Sequence, residues 1–238
     1  MNKNKSAQEP SINLISAATL LNTSRDRPCA NLMESTATWC KEHLCSPHPS
    51  VGRTGPLCPW VPTAFKLDTL WLTTLEFKIG EQTACVTFHK LISIFKRLKP
   101  TAGRHSQFKA IVCLLEGSVS SVEIDALHSE LKCKFLAEGL MLGEFYPSCV
   151  KPGLRNKSFL PLQSKTPMIV IREMVEIDIV FLADDPQFIR LYLLHFMSTG
   201  NDSIKRVLAD QRVFNLKAEE IVNLEKASKT WNTKHTKD

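Results

Sequence analysis

The sequence predicts an α+β fold (mixed α/β), with a single mixed sheet of about four to five strands covered by helices. Along the middle of the chain, amphipathic helical patterns alternate with short runs of β-branched and aromatic residues. The 238 residues, 43% of them hydrophobic, suffice for one substantial core. We therefore expect one globular domain over residues 29–200. A disordered segment over 1–28 would precede it, and a helical extension over 201–238 with a basic, disordered tail would follow.

In the first half of the domain, the sequence predicts two helices with a strand between them. Over residues 31–45 apolar side chains recur at helical spacing until Pro47 and Pro49 stop the helix. The segment "TLWLTTLEF" at 69–77 is rich in β-branched and aromatic residues and predicts a strand. Over 82–98 the apolar residues step by four and three along one face, which predicts a helix packed on the sheet.

The second half predicts three more strands and two more helices. The run "FKAIVCLLEG" at 108–117 is continuously apolar, as in a buried central strand. A helix is predicted over 122–138 and ends at Gly139. The remaining elements are two strands separated by a long polar loop, and a buried helix capped by Asp185. They cover residues 140–147, 167–175 and 185–200.

The net charge of +6 does not predict a nucleic-acid partner, because it is spread along the chain. Residues 1–56, 57–199 and 200–238 carry six, sixteen and eight basic side chains against four, fourteen and six acidic ones, so each part has a net charge of +2. The one basic concentration lies at 96–109 and could hold a phosphate or a carboxylate, although a solvated helix end and loop is the commoner explanation of such a pattern.

Eight cysteines would form a disulfide framework only in an exported protein. The N-terminus does not resemble a signal peptide, because Asn13 and Ser16 interrupt its apolar run and Glu9 precedes it. No stretch approaches the ~18 apolar residues that a membrane span needs. We expect a cytoplasmic protein with reduced thiols and no membrane association.

Cysteine and histidine cluster before the strand at 69–77, which raises the question of zinc. Cys40, His43, Cys45 and His48 fall within nine residues, and Cys58 follows. Their spacing does not suit a tetrahedral site, since Cys40 and His43 share one helix face and Cys45 points elsewhere. We expect ordinary helix packing and no metal.

Two histidines, His128 and His195, lie on helix faces that are otherwise apolar. A buried imidazole without partners costs about 1–3 kcal/mol. Each therefore has a hydrogen-bond partner in the core or lines a pocket, and His128 is the better pocket candidate. An imidazole on an apolar wall could also serve as an axial haem ligand.

Cys58 is the candidate nucleophile, because its loop also contains Arg53, a cation that could lower the pKa of the thiol. The serine elbow, the H-E-x-x-H element and the phosphate-binding loop are all missing from the sequence, so hydrolase and nucleotide-binding functions are disfavoured. An acidic cluster could supply general acids or bases, or could serve in turns and caps. It comprises Glu173, Glu176, Asp178, Asp184 and Asp185.

Three segments resemble a bacterial domain of unknown function. They are "GRTGPLCPWVP" at 52–62, "LHSELKCKFLAEGLMLGEFYP" at 127–147 and "GLRNKSFLPLQSKTPMIVIREMVEIDIVFL" at 153–182. Arg53, Cys58 and Arg172 match the G-R-x-G-P-x-C-P-[FW]-V-P and I-R-x-M-V elements of that family, and "GLMLGEF" matches its G-[LM]-M-x-G-x-F element. The resemblance covers residues 39–196 and implies a single domain from biosynthetic settings. Glu173 departs from it, since a histidine is expected after the arginine.

A fainter similarity is to the YqcI/YcgG family, which includes haem-dependent N-oxygenases with a Pro-Cys or Cys-Pro element before the first strand. This sequence lacks the Phe-Pro-Cys run of that family. The similarity implies haem as a possible cofactor, held by His128 or Cys58.

Two functions remain open at this point. In the first, the chain is a small-molecule enzyme, with or without haem, whose catalytic candidates are Cys58 and His128. Arg53 and Arg172 would bind a carboxylate or phosphate, since a guanidinium pairs with two oxygens at once. This function predicts that all four side chains meet in one cavity. In the second, the chain is a non-catalytic binding or interaction module, in which Arg172 ties down the loop and Cys58 only packs.

Overall fold

The computed structural model describes residues 12–23, 31–76 and 83–235. It confirms the predicted α+β fold, because the strands in these residues form one open mixed sheet in the order β1-β2-β3-β5-β4. Strands β2 and β3 are parallel, and the other neighbours are antiparallel. The strands are β1 (Ile15–Ser16), β2 (Leu70–Glu76), β3 (Ala110–Glu116), β4 (Leu140–Phe145) and β5 (Met168–Glu173).

Eight α-helices in the described residues surround the sheet. They are α1 (Ala17–Thr23), α2 (Leu32–Trp39), α3 (Val61–Lys66), α4 (Thr83–Arg97), α5 (Ser121–Ala137), α6 (Pro186–His195), α7 (Gly200–Ala209) and α8 (Ala218–His235). A π-helical turn at Cys40–Leu44 continues α2, and short 3₁₀ turns lie at Pro49–Val51, Ser106–Phe108 and Glu176–Phe181.

The parallel strands β2 and β3 lie next to each other in the sheet and are joined by helix α4. Parallel strands need a crossover, and α4 supplies it. The register places Leu72 beside Val112, and Ile171 of β5 beside Ile111. Every residue of β3 from Ile111 to Leu115 is at most 3% exposed, as expected for a strand covered on both faces.

The two faces of the sheet carry different cores because successive side chains of a strand point to opposite faces. On the α4–α5 face, Ile111, Ile171 and Leu142 pack against α4 and α5. On the α1–α3 face, Val112 and Met168 pack against α1, α2 and α3. Helices α6, α7 and α8 form a third core around Met141, Met174 and Tyr192.

Part of the N-terminal segment is folded, which differs from the expectation of disorder over 1–28. Ile15 pairs with Leu72 at the edge of the sheet, and Ala17 and Leu20 of α1 are buried. The strand gains its hydrogen bonds from β2, a long-range partner that local sequence patterns do not reveal. The rest of that prediction falls on residues 1–11 and 24–28, outside the described residues.

The C-terminal helices also differ from the expected extension, because they complete a core. Helices α7 and α8 bury Ile204, Val207 and Leu224 against α6. The boundary predicted at residue 200 therefore falls at the start of α7. The predicted disordered tail lies partly outside the described residues, at 236–238. Within the described chain, every helix is too short or too polar to cross a membrane.

Candidate functional site

Residues 46–60, here called the proline-rich loop, are held together in part by hydrogen bonds from Arg53, an arginine of the loop itself. The Arg53 guanidinium donates to the backbone oxygens of Thr54, at 3.0 Å, and Leu57, at 2.9 Å. Gly52 and Gly55 have φ of 73° and 90°, which other residues adopt only with strain. Arg53 therefore stabilises the loop, and its Nη atoms are already engaged.

The proline-rich loop packs on the polar loop that precedes β5. The Asn156 amide donates to the Ser50 carbonyl at 2.9 Å, and the rings of His48 and Phe159 stack at 4.5 Å. The Cys58 side chain packs against the core of the α1–α3 face. These contacts hold Cys58 half-buried at the surface of that face.

Arg172 projects from β5 on the α1–α3 face, where Asp178 binds it. Two nitrogens of its guanidinium donate to the two Asp178 oxygens at 2.7 and 2.6 Å, and Nη1 also donates to the Glu173 carbonyl. Burial lowers the pKa of Arg172, but the charge and hydrogen bond of Asp178 and the charge of Cys58 outweigh it, so the pKa is raised. Cys58 therefore lies within electrostatic reach of this guanidinium.

The Cys58 thiol of the proline-rich loop lies near the thiols of Cys40 and Cys45. Burial raises the pKa of Cys40 to about 12, and the charges of Cys45 and Cys58 raise it as well. Among the described residues, no group of three or more His, Cys, Asp or Glu side chains is placed to hold a metal ion.

A second polar group, on the α4–α5 face, is here called the imidazole–carboxylate cluster. Nε2 of His128 on α5 lies 3.0 Å from Oε2 of Glu144 on β4 and 3.3 Å from the Leu142 carbonyl. Glu144, only 3% exposed, also forms an ion pair with Lys151. The cluster thus places a buried carboxylate against an imidazole at the edge strand of the sheet.

The contacts of His128 determine its protonation. The Leu142 carbonyl can only accept a hydrogen bond, so Nε2 carries the proton and Nδ1 has the free lone pair. Burial lowers the pKa of His128 to about 4. Lys132 and Lys151 also lower it, whereas the Leu142 carbonyl and Asp125 raise it. At neutral pH the imidazole is uncharged and Nδ1 is a proton acceptor.

Asp125 and Tyr146 connect the cluster to the surface. The Tyr146 hydroxyl lies 3.0 Å from both Asp125 oxygens, and Lys151 Nζ lies 3.5 Å from Oδ1 of Asp125. The side chains of Lys151 and Asp125 are 44% and 45% exposed. Lys151 therefore connects the buried Glu144 carboxylate to the surface of the protein.

The sheet separates the four residues that the sequence singled out. Glu144 and Leu142 alternate with Gly143 and Phe145 along β4, so the cluster with His128 lies on the α4–α5 face. Arg172 and Cys58 lie on the opposite face. The expectation that all four meet in one cavity is therefore wrong: Arg53, Cys58 and Arg172 are associated through one loop, and His128 is not.

The remaining candidates have roles in packing and capping. His195 is exposed, with its ring over Gly139, and is therefore not in the core as expected. Helix α6 buries Ile189, Tyr192 and Leu193 as predicted but leaves Leu194 exposed at its C-terminal end. In the acidic cluster, Asp185 caps α6 and Glu176 forms an ion pair with Arg206. Glu173 accepts from Ser106 and lies 3.6 Å from Lys109.

Glu144 and Asp125 are the functional candidates that the sequence interpretation missed. Glu144 follows Leu140 and Leu142 at strand spacing, which places an acid on the buried side of the strand. Asp125 precedes His128 by three residues and so shares its helix face. These two spacings are the features of the sequence that could have identified Glu144 and Asp125.

The surroundings of His128 do not fit haem. An axial imidazole ligand needs a free nitrogen that faces an apolar slot. Nε2 is bound by Leu142 and Glu144, and the free Nδ1 belongs to a side chain that is 8% exposed and has the charged groups of Glu144, Lys132 and Lys151 near it instead of an apolar slot. Two clefts of the described residues lie elsewhere: about 700 Å³ beside Trp71 and Lys99, and about 240 Å³ between Leu154 and Phe214.

Together these features define a small α+β domain with one polar site on each face of its sheet. The chain belongs to the family of the domain of unknown function DUF6875, whose model matches residues 33–207. This agrees with the resemblance to a domain of unknown function. No curated protein and no solved structure matches the chain significantly.

Proposed function

We propose that this chain is a small-molecule enzyme in which neutral His128 acts as a general base. The 3.0 Å contact between His128 Nε2 and the buried Glu144 carboxylate supports this function. When Nδ1 takes a proton from a substrate, the imidazole becomes positive, and the adjacent carboxylate stabilises that charge.

The charges around the cluster favour an anionic substrate. Lys132 and Lys151 lie close enough to lower the pKa of His128. A carboxylate or phosphate of the substrate would take Lys151 from Glu144, which frees Glu144 to stabilise the imidazolium. The proposal includes the predicted cytoplasmic location, since all seven cysteines that the structure describes are free thiols.

The test is turnover of a mixed extract of small metabolites in D₂O, followed by mass spectrometry for new products or deuterium uptake. We expect the wild-type protein and His195→Gln to change the same metabolite, and His128→Gln and Glu144→Gln to lose that change. Thermal unfolding verifies that each variant is folded. Full turnover by folded His128→Gln, or no turnover by the wild type, would overturn the proposal.

A haemin titration separates this function from haem-dependent chemistry. Because Nε2 is bound and the ring lies among charged groups and not in an apolar slot, we expect no Soret shift that His128→Ala removes. A shift that does depend on His128 would contradict the proposed role of Nδ1.

The non-catalytic alternative is favoured by one observation on the opposite face. Arg172 and Arg53 are bound by Asp178 and by the loop itself, as expected of residues that hold a structure together. A binding module would be stabilised by a metabolite of the same extract in a thermal-shift assay without changing it. His128→Gln and Glu144→Gln would then leave that shift intact.

A further inference from the structure

The backbone places Cys45 beside Cys58. The Cys58 N–H donates to the Leu44 carbonyl at 2.9 Å, and the Leu57 N–H donates to the Ser46 carbonyl at 2.8 Å. Cys45 therefore lies between the two acceptors in the chain, and Pro47 and Pro56 form an isolated antiparallel bridge nearby. Because the Cys58 nitrogen lies 2.9 Å from the oxygen of the peptide bond that precedes Cys45, the backbones of the two cysteines are close neighbours. Disulfides span about 4.4–6.8 Å between Cα atoms.

Exposure and charge distinguish this pair from the third thiol of the group. Cys45 and Cys58 are half-buried, whereas Cys40 is 2% exposed and its pKa is raised to about 12 by burial. Burial raises the pKa of Cys45, Lys41 lowers it and the charge of Cys58 raises it, so the two sulfurs are within electrostatic reach of each other. Two half-buried thiols therefore lie near each other, whereas the third is buried and its pKa is raised.

We propose that Cys45 and Cys58 are a redox pair that a hydroperoxide converts to a disulfide. The Cys58 thiolate attacks the O–O bond, which breaks to give a Cys58 sulfenic acid and an alcohol, or water from hydrogen peroxide. The Cys45 thiol then attacks the Cys58 sulfur; the S–S bond forms, and the sulfenic hydroxide leaves as water with the thiol proton. A small dithiol returns both cysteines to thiols by exchange.

Cys58 is assigned the first step because a cation lies near it. The guanidinium of Arg172 is within electrostatic reach of Cys58, whereas burial raises the pKa of the Cys45 thiol. The pair lies on the α1–α3 face, away from His128, so the inference goes beyond the proposed function and does not depend on it.

The sequence allows a direct test, because trypsin cuts between the two cysteines. Cleavage after Lys41, Arg53 and Lys66 yields peptides 42–53 and 54–66, each with one cysteine. After treatment with hydrogen peroxide and alkylation of the remaining thiols, we expect these peptides to be joined, with the loss of two hydrogen atoms. Dithiothreitol should separate them.

Variants assign the order of the steps. Cys58→Ser should abolish the joined peptide and leave Cys45 alkylated. Cys45→Ser should leave a Cys58 sulfenic acid that a cyclic 1,3-dione traps. Cys133→Ser, which removes another half-buried thiol, should leave the joined peptide unchanged. If Cys45 and Cys58 stay as alkylated as Cys133 after peroxide, or join mainly to other cysteines, the proposal is overturned.

Discussion

Folding keeps the imidazole of His128 neutral, and this makes the stability of the protein depend on pH. The pKa of His128 falls from 6.5 to about 4 on folding, chiefly through burial. Between these values the unfolded chain binds a proton that the folded chain does not. The free energy of unfolding therefore falls as the pH drops from 6.5 towards 4, by on the order of 3 kcal/mol.

Urea unfolding at pH 7 and at pH 4.5 measures this contribution. His128→Gln should reduce the loss of stability between the two pH values. His89→Gln, which removes an exposed histidine of α4, should not. Equal losses in the wild type and His128→Gln would show that His128 is protonated in the folded protein at pH 4.5.

The pair of Arg172 and Asp178 gives a second prediction at the scale of single residues. Asp178 is 1% exposed and also accepts from the Val175 N–H. Asp178→Ala removes the acceptor of the Val175 N–H and the carboxylate that neutralises Arg172, whose guanidinium keeps the Glu173 carbonyl, so we expect a loss of about 3 kcal/mol in unfolding free energy. Asp202→Ala removes an exposed carboxylate paired with Lys205 and should cost less than about 1 kcal/mol. Similar values in chemical denaturation would contradict the structural role of Asp178.

The sequence identified individual site residues better than it predicted their partners. His128 was found because it interrupts an apolar helix face, and Cys58 because its loop is rich in proline. The partner of His128 depends on the alternation of side chains along β4, and the partner of Arg172 lies in the turn at Glu176–Phe181. Both partners follow from three-dimensional placement, which residue type alone does not reveal.

At the scale of elements, periodic segments were predicted closely and short ones were missed. The helix expected over 82–98 is α4 (Thr83–Arg97), and the strand expected over 108–117 is β3 (Ala110–Glu116). Strand β1 is only two residues long, so it has no alternation of side chains to detect in the sequence. It is stabilised by pairing with β2. The turn at Cys40–Leu44 has π-helical hydrogen bonds, which the apolar spacing of α2 does not reveal.

The end of α5 provides a prediction about one element and its neighbour. Gly139 has φ of 74°, and a Cβ there would lie 2.4 Å from Cε1 of His195. Gly103 has φ of 85° and open space around it, so Gly103→Ala measures backbone strain alone, about 1 kcal/mol. Gly139→Ala should cost more in urea unfolding. In a protein that already carries His195→Ala, Gly139→Ala should cost no more than Gly103→Ala does. A larger cost would mean that the added Cβ clashes with a group other than His195.

At the scale of the whole molecule, the central sheet decides which residues can act together. Its strands are covered on both faces, so a side chain on one face cannot contact a side chain on the other. The imidazole–carboxylate cluster and the Cys45–Cys58 pair are therefore independent sites. Peroxide treatment should leave the pH dependence attributed to His128 unchanged.

The C-terminal helices belong to the same folded unit, although the family match ends at residue 207. Leu224 of α8 is fully buried among residues of α6 and α7, whereas Val222, two residues earlier, is 44% exposed. Leu224→Ala should lower the unfolding free energy by about 2–5 kcal/mol, because it leaves a cavity in that core. Val222→Ala should change it by less than about 0.5 kcal/mol. Equal, small losses of unfolding free energy in urea would mean that α8 adds nothing to the stability of the domain. The predicted difference between the two variants requires the domain to extend into α8.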